Sequence, residues 1–205
     1  MKKKKCKCKE KPEIWFGVYY HQGEIEEADE RMILKALKHG AKVYHQFTHV
    51  YFKEGNHDFW LERYLLNNAR DAFKALGIGL KTVLKLGELR VEHIHNLKYI
   101  KYGDLDIVHG HEFMGMGSGK FPATGLLDRW QTFKGRYDVK ILAGHHHRTD
   151  KALSKKSKDG KFGNAWTVPA MCRKGPSYSP YGGANQGWAE LEFNDGNVIV
   201  NIKEV

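Results

Sequence analysis

The stretch Val139-Lys140-Ile141-Leu142-Ala143-Gly144-His145-His146-His147-Arg148 sets an apolar, β-prone run directly before a glycine and three histidines. The run predicts a buried strand, and the glycine predicts a tight turn at its end. Two imidazoles two residues apart on such a turn, His145 and His147, can converge on adjacent cations. The same arrangement occurs twice more. Val50-Tyr51-Phe52 precedes Gly55-Asn56-His57-Asp58, and Leu105-Asp106-Ile107-Val108 precedes His109-Gly110-His111. Three strands that each end in a His-bearing, glycine-containing turn describe one rim of a sheet, where open α/β folds place their sites.

Strands and helices alternate outward from these turns. Ile14 to Tyr20 reads as an aromatic strand, and Gly23-Glu24 opens a helix over 25–39 that stops at Gly40. Val43 to Phe52 reads as a strand. Trp60 to Leu76 reads as one helix with a single apolar face, ended by Gly77. Thr82 to Leu97 reads as short helix or irregular cover, with His93 and His95 on the surface. Tyr99 to Val108 predicts a hairpin turning at Gly103. Phe113 to Gly125 is a Gly- and Met-rich loop beside the site, and Gly125 to Lys134 a short helix. Trp188 to Phe193, Asp195-Gly196 and Val198 to Ile202 form a hairpin pattern, because Asp-Gly supplies the positive φ angles of a tight turn. The fold class is therefore α/β, a layered sandwich of mixed β-sheets flanked by helices, with a metal site at the C-terminal ends of strands.

The chain has 205 residues, long enough for one substantial core, and no linker-like stretch divides it. Residues 13–205 are expected to form a single domain after a basic, disordered tail over 1–12. Seven lysines and one glutamate within the first eleven residues carry +6 of the net +10, leaving +4 elsewhere. That mild excess suits an anionic substrate and does not demand nucleic acid, although the tail offers a contact for it. Three cysteines without framework spacing argue against a secreted disulfide scaffold. No run of about 18 apolar residues is present, so the expectation is a soluble, cytoplasmic protein with no membrane contact.

Six of the 12 histidines sit in the three turns. Imidazoles with the amide oxygen of Asn56 suit manganese, iron, zinc or nickel. Hydrolysis is a natural use for such a centre, since paired cations acidify a bound water and neutralise a phosphoryl group.

Gly-Asn-His-Asp, His-Gly-His and Gly-His-x-His, in that order with His57, His109 and His145 spaced 52 and 36 residues apart, resemble the last three motifs of the calcineurin-like metallophosphoesterases. The final stretch, with Pro169-Ala170-Met171-Cys172 and the Gly187-Trp188-Ala189 hairpin, resembles bacterial and phage members. The likeness runs from Gly55 to Val205. It implies that Asn56, His109 and His145 bind one metal and that His147 helps bind another. His57 would be the catalytic histidine serving the leaving group, oriented by Asp58. Arg148 and His111 would face substrate, against the plainer readings of a surface ion pair and a hydrogen-bonded histidine. The implied cofactors are two divalent ions, manganese foremost with iron, zinc, nickel or magnesium as alternatives.

The family's first two motifs, Asp-x-His and Gly-Asp, have no match before Gly55. These supply the first metal's ligands and the bridging carboxylate. Glu24 of Gly23-Glu24 is the partial substitute, although an acidic residue in the first turn of a helix is the simpler account of it. The N-terminal portion is thus expected to be shortened or altered, or its ligands to come from elsewhere. Three functions follow. The first is a metal-dependent phosphoesterase acting on phosphomonoesters or phosphodiesters. The second is a degenerate, catalytically weak module that binds nucleic acid or a protein partner. The third is a plain α/β domain with a histidine-rich rim.

Overall fold

A five-stranded mixed sheet carries the two central histidine turns. In the computed structural model, which describes residues 14–16, 50–56, 58–113, 121–154, 160–170, 185–194 and 197–205, its strand order is β4-β5-β6-β8-β7. These strands are β4 (Ile100–Tyr102), β5 (Leu105–Val108), β6 (Lys140–Ala143), β7 (Asp150–Leu153) and β8 (Asn164–Thr167). β5, β6 and β8 run parallel, whereas β4 and β7 close the edges antiparallel. The parallel centre explains why Leu105 to Val108 and Ile141 to Ala143 are buried without interruption, for both faces are covered.

Side-chain alternation sorts the two faces. Val108, Ile141, Ala143 and Ala165 face helix α4 (Pro122–Lys134), which presents Ala123, Leu126, Leu127 and Trp130 at the i, i+3, i+4, i+7 spacing of one helical stripe. Leu105, Ile107, Leu142 and Trp166 face the other way, onto Ala189, Leu191 and Val198. Those three residues belong to a second, antiparallel sheet of order β1-β9-β10, made of β1 (Ile14–Phe16), β9 (Gly187–Asn194) and β10 (Asn197–Glu204). The layers are helix, mixed sheet and antiparallel sheet, which is the expected sandwich. Pro122 starts α4 where a missing N–H costs nothing, and Gly135, at φ 64°, ends it in the left-handed conformation.

A third, smaller unit supports the first histidine turn. β2 (Val50–Lys53) pairs in parallel with β3 (Val91–Ile94), and Val50 and Phe52 pack with Leu80, Leu84, Leu86 and Val91. Here the structure corrects the sequence. Thr82 to Leu97 is not cover but a short helix, α3 (Leu80–Val83), followed by strand β3. The expected helix over 60–76 is two helices, α1 (Asp58–Asn68) and α2 (Arg70–Leu76), broken at Ala69. Asn68 turns its side-chain amide back to the Tyr64 carbonyl, the local competition that makes asparagine a poor helix former. The single apolar face fails as well, since Tyr64 and Leu76 are exposed. β7 and β8 carry no strong sequence signal, each mixing polar and apolar residues over four positions. The helix over 25–39, the basic tail over 1–12 and most of the 113–125 loop lie outside the described residues.

Candidate metal centre

β5 and β6 are parallel neighbours with Val108 opposite Ala143, so their C-terminal turns leave the sheet side by side. That register brings His109 and His145 together with ring centroids 5.0 Å apart. His111 joins them, 4.9 Å from His109 and 6.3 Å from His145 between centroids, and its Nδ1 lies 3.0 Å from His109 Nδ1. One of those two nitrogens donates and the other accepts. His146 follows at 5.2 Å from His145.

The turn after β6 is held in a costly shape. His145 (φ 67°) and His147 (φ 54°) both adopt the left-handed backbone region, and the His146 N–H donates to the Gly144 carbonyl at 2.7 Å. Non-glycine residues in that region carry strain of about 1–3 kcal/mol each and cluster at functional sites. The His147 carbonyl accepts the Asn185 N–H and the Arg148 carbonyl accepts the Thr167 hydroxyl, fixing the exit of the turn.

The turn after β2 reaches the same place from the side. A Cβ built on Gly55 would collide with Nε2 of the His109 ring and lie 2.7 Å from its Cδ2, so any other residue here must displace that ring. Asp58 caps this turn by accepting the Gly55 N–H at 2.7 Å. Asn56, the next residue, has a buried Oδ1 with no hydrogen-bond partner.

Burial favours the neutral form of three of these imidazoles, His109, His145 and His146. Desolvation, reinforced by the neighbouring histidines and Lys53, holds His109 far below the usual imidazole range. Burial likewise lowers His145, and it brings His146 down to about 4 with help from the flanking histidines and Arg148. A neutral imidazole keeps the lone pair that a metal needs. Desolvation also raises the Asp58 carboxyl to about 6.

The carboxylates beside the turns are differently employed. Glu54, 1% exposed, bonds His93 at 2.6 Å and the Asn96 N–H at 2.8 Å. Glu112 accepts the His109 and Gly110 N–H groups, and Asp150 those of Ala123 and Lys151. Among the described residues no group of three His, Cys, Asp or Glu side chains is arranged to hold a metal ion. In donor chemistry, neutral imidazoles and the orphaned Asn56 oxygen are of the kind that suits a cation of borderline softness, and among the described residues no carboxylate beside the turns is left over to bridge a pair.

Of the sequence-predicted site residues, the structure brings His109, His111 and His145 together, and Gly55, which precedes Asn56, lies against the His109 ring. His147 stands near enough to add to the lowering of His109, and Arg148 to that of His146. His57 and Glu24 lie outside the described residues. Sequence reasoning missed Lys53, Glu54, His93 and Glu112. His93 is not a plain surface residue but the partner of a buried glutamate. The available signal was positional: charges immediately before Gly55 and immediately after His111 occupy strand-end turns, where a strand-end charge must find a partner.

No protein-family model matches the chain, and no curated protein does. Among solved structures it is similar to a Vps29 double mutant from Entamoeba histolytica, at 13% identity and TM-score 0.35, over 93% of this chain and 95% of that one. It is also similar to a Thermotoga maritima protein solved by NMR (16% identity, TM-score 0.30, 62% of this chain and 70% of that one). A third is vacuolar protein sorting 29 from Cryptosporidium parvum, at 18% identity and TM-score 0.26, over 53% of this chain and 55% of that one. Among the described residues no helix is long and apolar enough to cross a membrane.

Proposed function

We propose that the chain is a metallophosphoesterase-like module that holds one divalent transition-metal ion at its histidine turns and lacks the turnover of a two-metal phosphoesterase. The observation that carries this reading is the employment of the carboxylates. Glu54, Asp58, Glu112 and Asp150 each satisfy groups of the protein itself. The order of the three motifs, which resembles the calcineurin-like family, supports the metal half of the proposal. His109 and His145 would hold the ion as neutral imidazoles with Asn56 Oδ1, and His147 would complete the set. Such donors favour zinc, nickel, iron or manganese over magnesium. A bound cation would polarise a phosphoryl oxygen and acidify a water. Contact with an anionic partner, nucleic acid or acidic protein, would fall to the seven lysines of the first eleven residues.

Metal analysis of the full chain, combined with hydrolysis of bis-p-nitrophenyl phosphate in added manganese, tests this. The expected result is one metal per chain, lost in His145→Ala, with hydrolysis at the background of free manganese. Two metals per chain and turnover abolished by His57→Ala would overturn it in favour of a competent phosphoesterase. No bound metal would leave only a histidine-rich rim.

A further inference from the structure

Lys53 and Glu112 form an ion pair of 2.9 Å with side chains only 4% and 9% exposed, and neither belongs to the proposed ligand set. The Lys53 ammonium has three N–H groups and three acceptors. Besides Glu112 Oε1 it donates to the carbonyls of Glu54 and Asn96, each at 2.7 Å. Those acceptors come from the end of β2, from the segment after β3 and from the turn after β5. One buried cation therefore ties the β2/β3 unit to the five-stranded sheet. Glu54 braces the β2/β3 side of that joint, since its Oε2 accepts the Asn96 N–H while His93 holds its Oε1.

Glu112 spends its oxygens on the histidine turn. Oε1 accepts the His109 N–H at 3.0 Å and Oε2 accepts the Gly110 N–H at 2.6 Å. Two successive amides turned toward one anion form a concave nest, and a carboxylate fills both positions with charge-assisted bonds. Gly110, at φ 116°, makes that nest possible. The His109 ring is thereby confined: its backbone is held by Glu112, its Nδ1 faces His111, and its far edge abuts Gly55.

We infer that Glu112, anchored by Lys53, is a positioning residue that fixes the His109 imidazole for cation binding. The inference rests on the single-cation reading of the histidine turns. An amide at position 112 keeps the shape but halves the acceptors and removes the charge that Lys53 neutralises. Lys53→Met removes the anchor and leaves the carboxylate buried without its cation.

The test is a cobalt(II) titration of the metal-free full chain followed by visible absorption, alongside amide hydrogen exchange. Glu112→Gln is expected to weaken cobalt binding about tenfold or more, the usual effect of losing an outer-shell partner. It should also alter the d–d bands while the far-ultraviolet circular dichroism stays native, and Glu112→Asp should restore part of the affinity. In the wild type the His109 and Gly110 amides should exchange as slowly as those of β5, and in Glu112→Gln they should exchange faster. A folded Glu112→Gln chain with wild-type affinity and spectrum would overturn the inference. So would fast exchange at His109 and Gly110 in the wild type, a result that needs no variant to fold. A wild-type chain that takes up no cobalt overturns the cation reading itself, and the exchange comparison then still decides whether Glu112 anchors the turn.

Discussion

Gly55→Ala probes the closest approach between two of the three turns. The new methyl carbon would lie 2.7 Å from His109 Cδ2 and 3.1 Å from Cε1, and nearer still to Nε2. Carbon contacts settle at about 3.5–4.0 Å, so the ring must retreat by about 1 Å. It has little room, being 7% exposed with its backbone N–H held by Glu112 and its Nδ1 facing His111. Overpacking of this kind costs about 1–3 kcal/mol. Gly55 is not among the positive-φ residues, so alanine brings no backbone strain and gains about 0.4–1 kcal/mol by restricting the unfolded chain. The net expectation is a loss of about 1–2 kcal/mol in urea unfolding of metal-free protein. The decisive measurement is a double-mutant cycle with His109→Ala. With the imidazole gone, the methyl enters vacated space and the loss should vanish or change sign. Equal losses with and without His109 would refute the packing argument, because the penalty would then arise elsewhere.

Acid should destabilise the metal-free chain, because unfolded His109 accepts a proton near pH 6.5 and the folded residue does so only far lower. This histidine's contribution is whole above pH 6.5 and falls by about 1.4 kcal/mol per pH unit below it, about 3 kcal/mol by pH 4.5, with His146 adding in the same direction until about pH 4. A urea midpoint unchanged between pH 6.5 and 4.5 would contradict this. Asp58 acts oppositely. Its carboxyl titrates at about 6 folded against 3.8 unfolded, so its stability contribution is full below pH 3.8 and lost as pH rises through 6. Asp58→Asn, which retains an acceptor for the Gly55 N–H, should therefore stabilise by about 1–3 kcal/mol at pH 8 and by nothing at pH 4, read as thermal midpoints. The two slopes oppose between pH 4 and 6, so the histidine slope is best measured in Asp58→Asn. Trp130→Phe should cost about 1–3 kcal/mol in urea, since it removes the indole N–H that donates to buried Asp106 at 3.0 Å. A cost under about 0.5 kcal/mol would show that Lys134, 3.1 Å from the same oxygen, suffices.

The elements legible in the sequence are those whose signal is local. Leu105 to Val108 and Val139 to Ala143 announce themselves as mostly apolar, β-prone runs, each broken by one charge, Asp106 or Lys140, and Gly103 (φ 59°) turns the hairpin where expected. The terminal hairpin is present as expected, with Asn197 opposite Asn194 and Val198 opposite Phe193. β3 was missed because it is four residues long and gains its identity from Val50 to Lys53, 41 residues earlier in the chain. α2 was misread because a helical stripe does not say whether anything covers it. At the site, the histidines were visible as types in turns. Their neutrality was not, for it arises from burial. Nor was the hold of Lys53 on Glu112, 59 residues apart, which no periodicity encodes.

The energetics of the rim bear on what it binds. Neutral His109, His145 and His146, an unbonded Asn56 oxygen and two histidines in left-handed backbone are each unfavourable in the metal-free fold. A cation that accepts imidazole and amide lone pairs offsets several of these costs at once, and at a concentration a thousand times its Kd it adds about 4 kcal/mol to stability. The ligand class then follows from charge. Glu112 is already neutralised by Lys53, and Glu54 is paired with His93, so neutral donors would leave the double positive charge of the ion almost uncompensated. Such a centre would attract an anion strongly, and among the described residues no group of carboxylates and imidazoles is arranged to hold a second cation beside it. The proposed site should therefore saturate with phosphate or a phosphate monoester in the presence of metal while releasing it unchanged. That separates anion capture from hydrolysis at a rim that otherwise resembles a hydrolase.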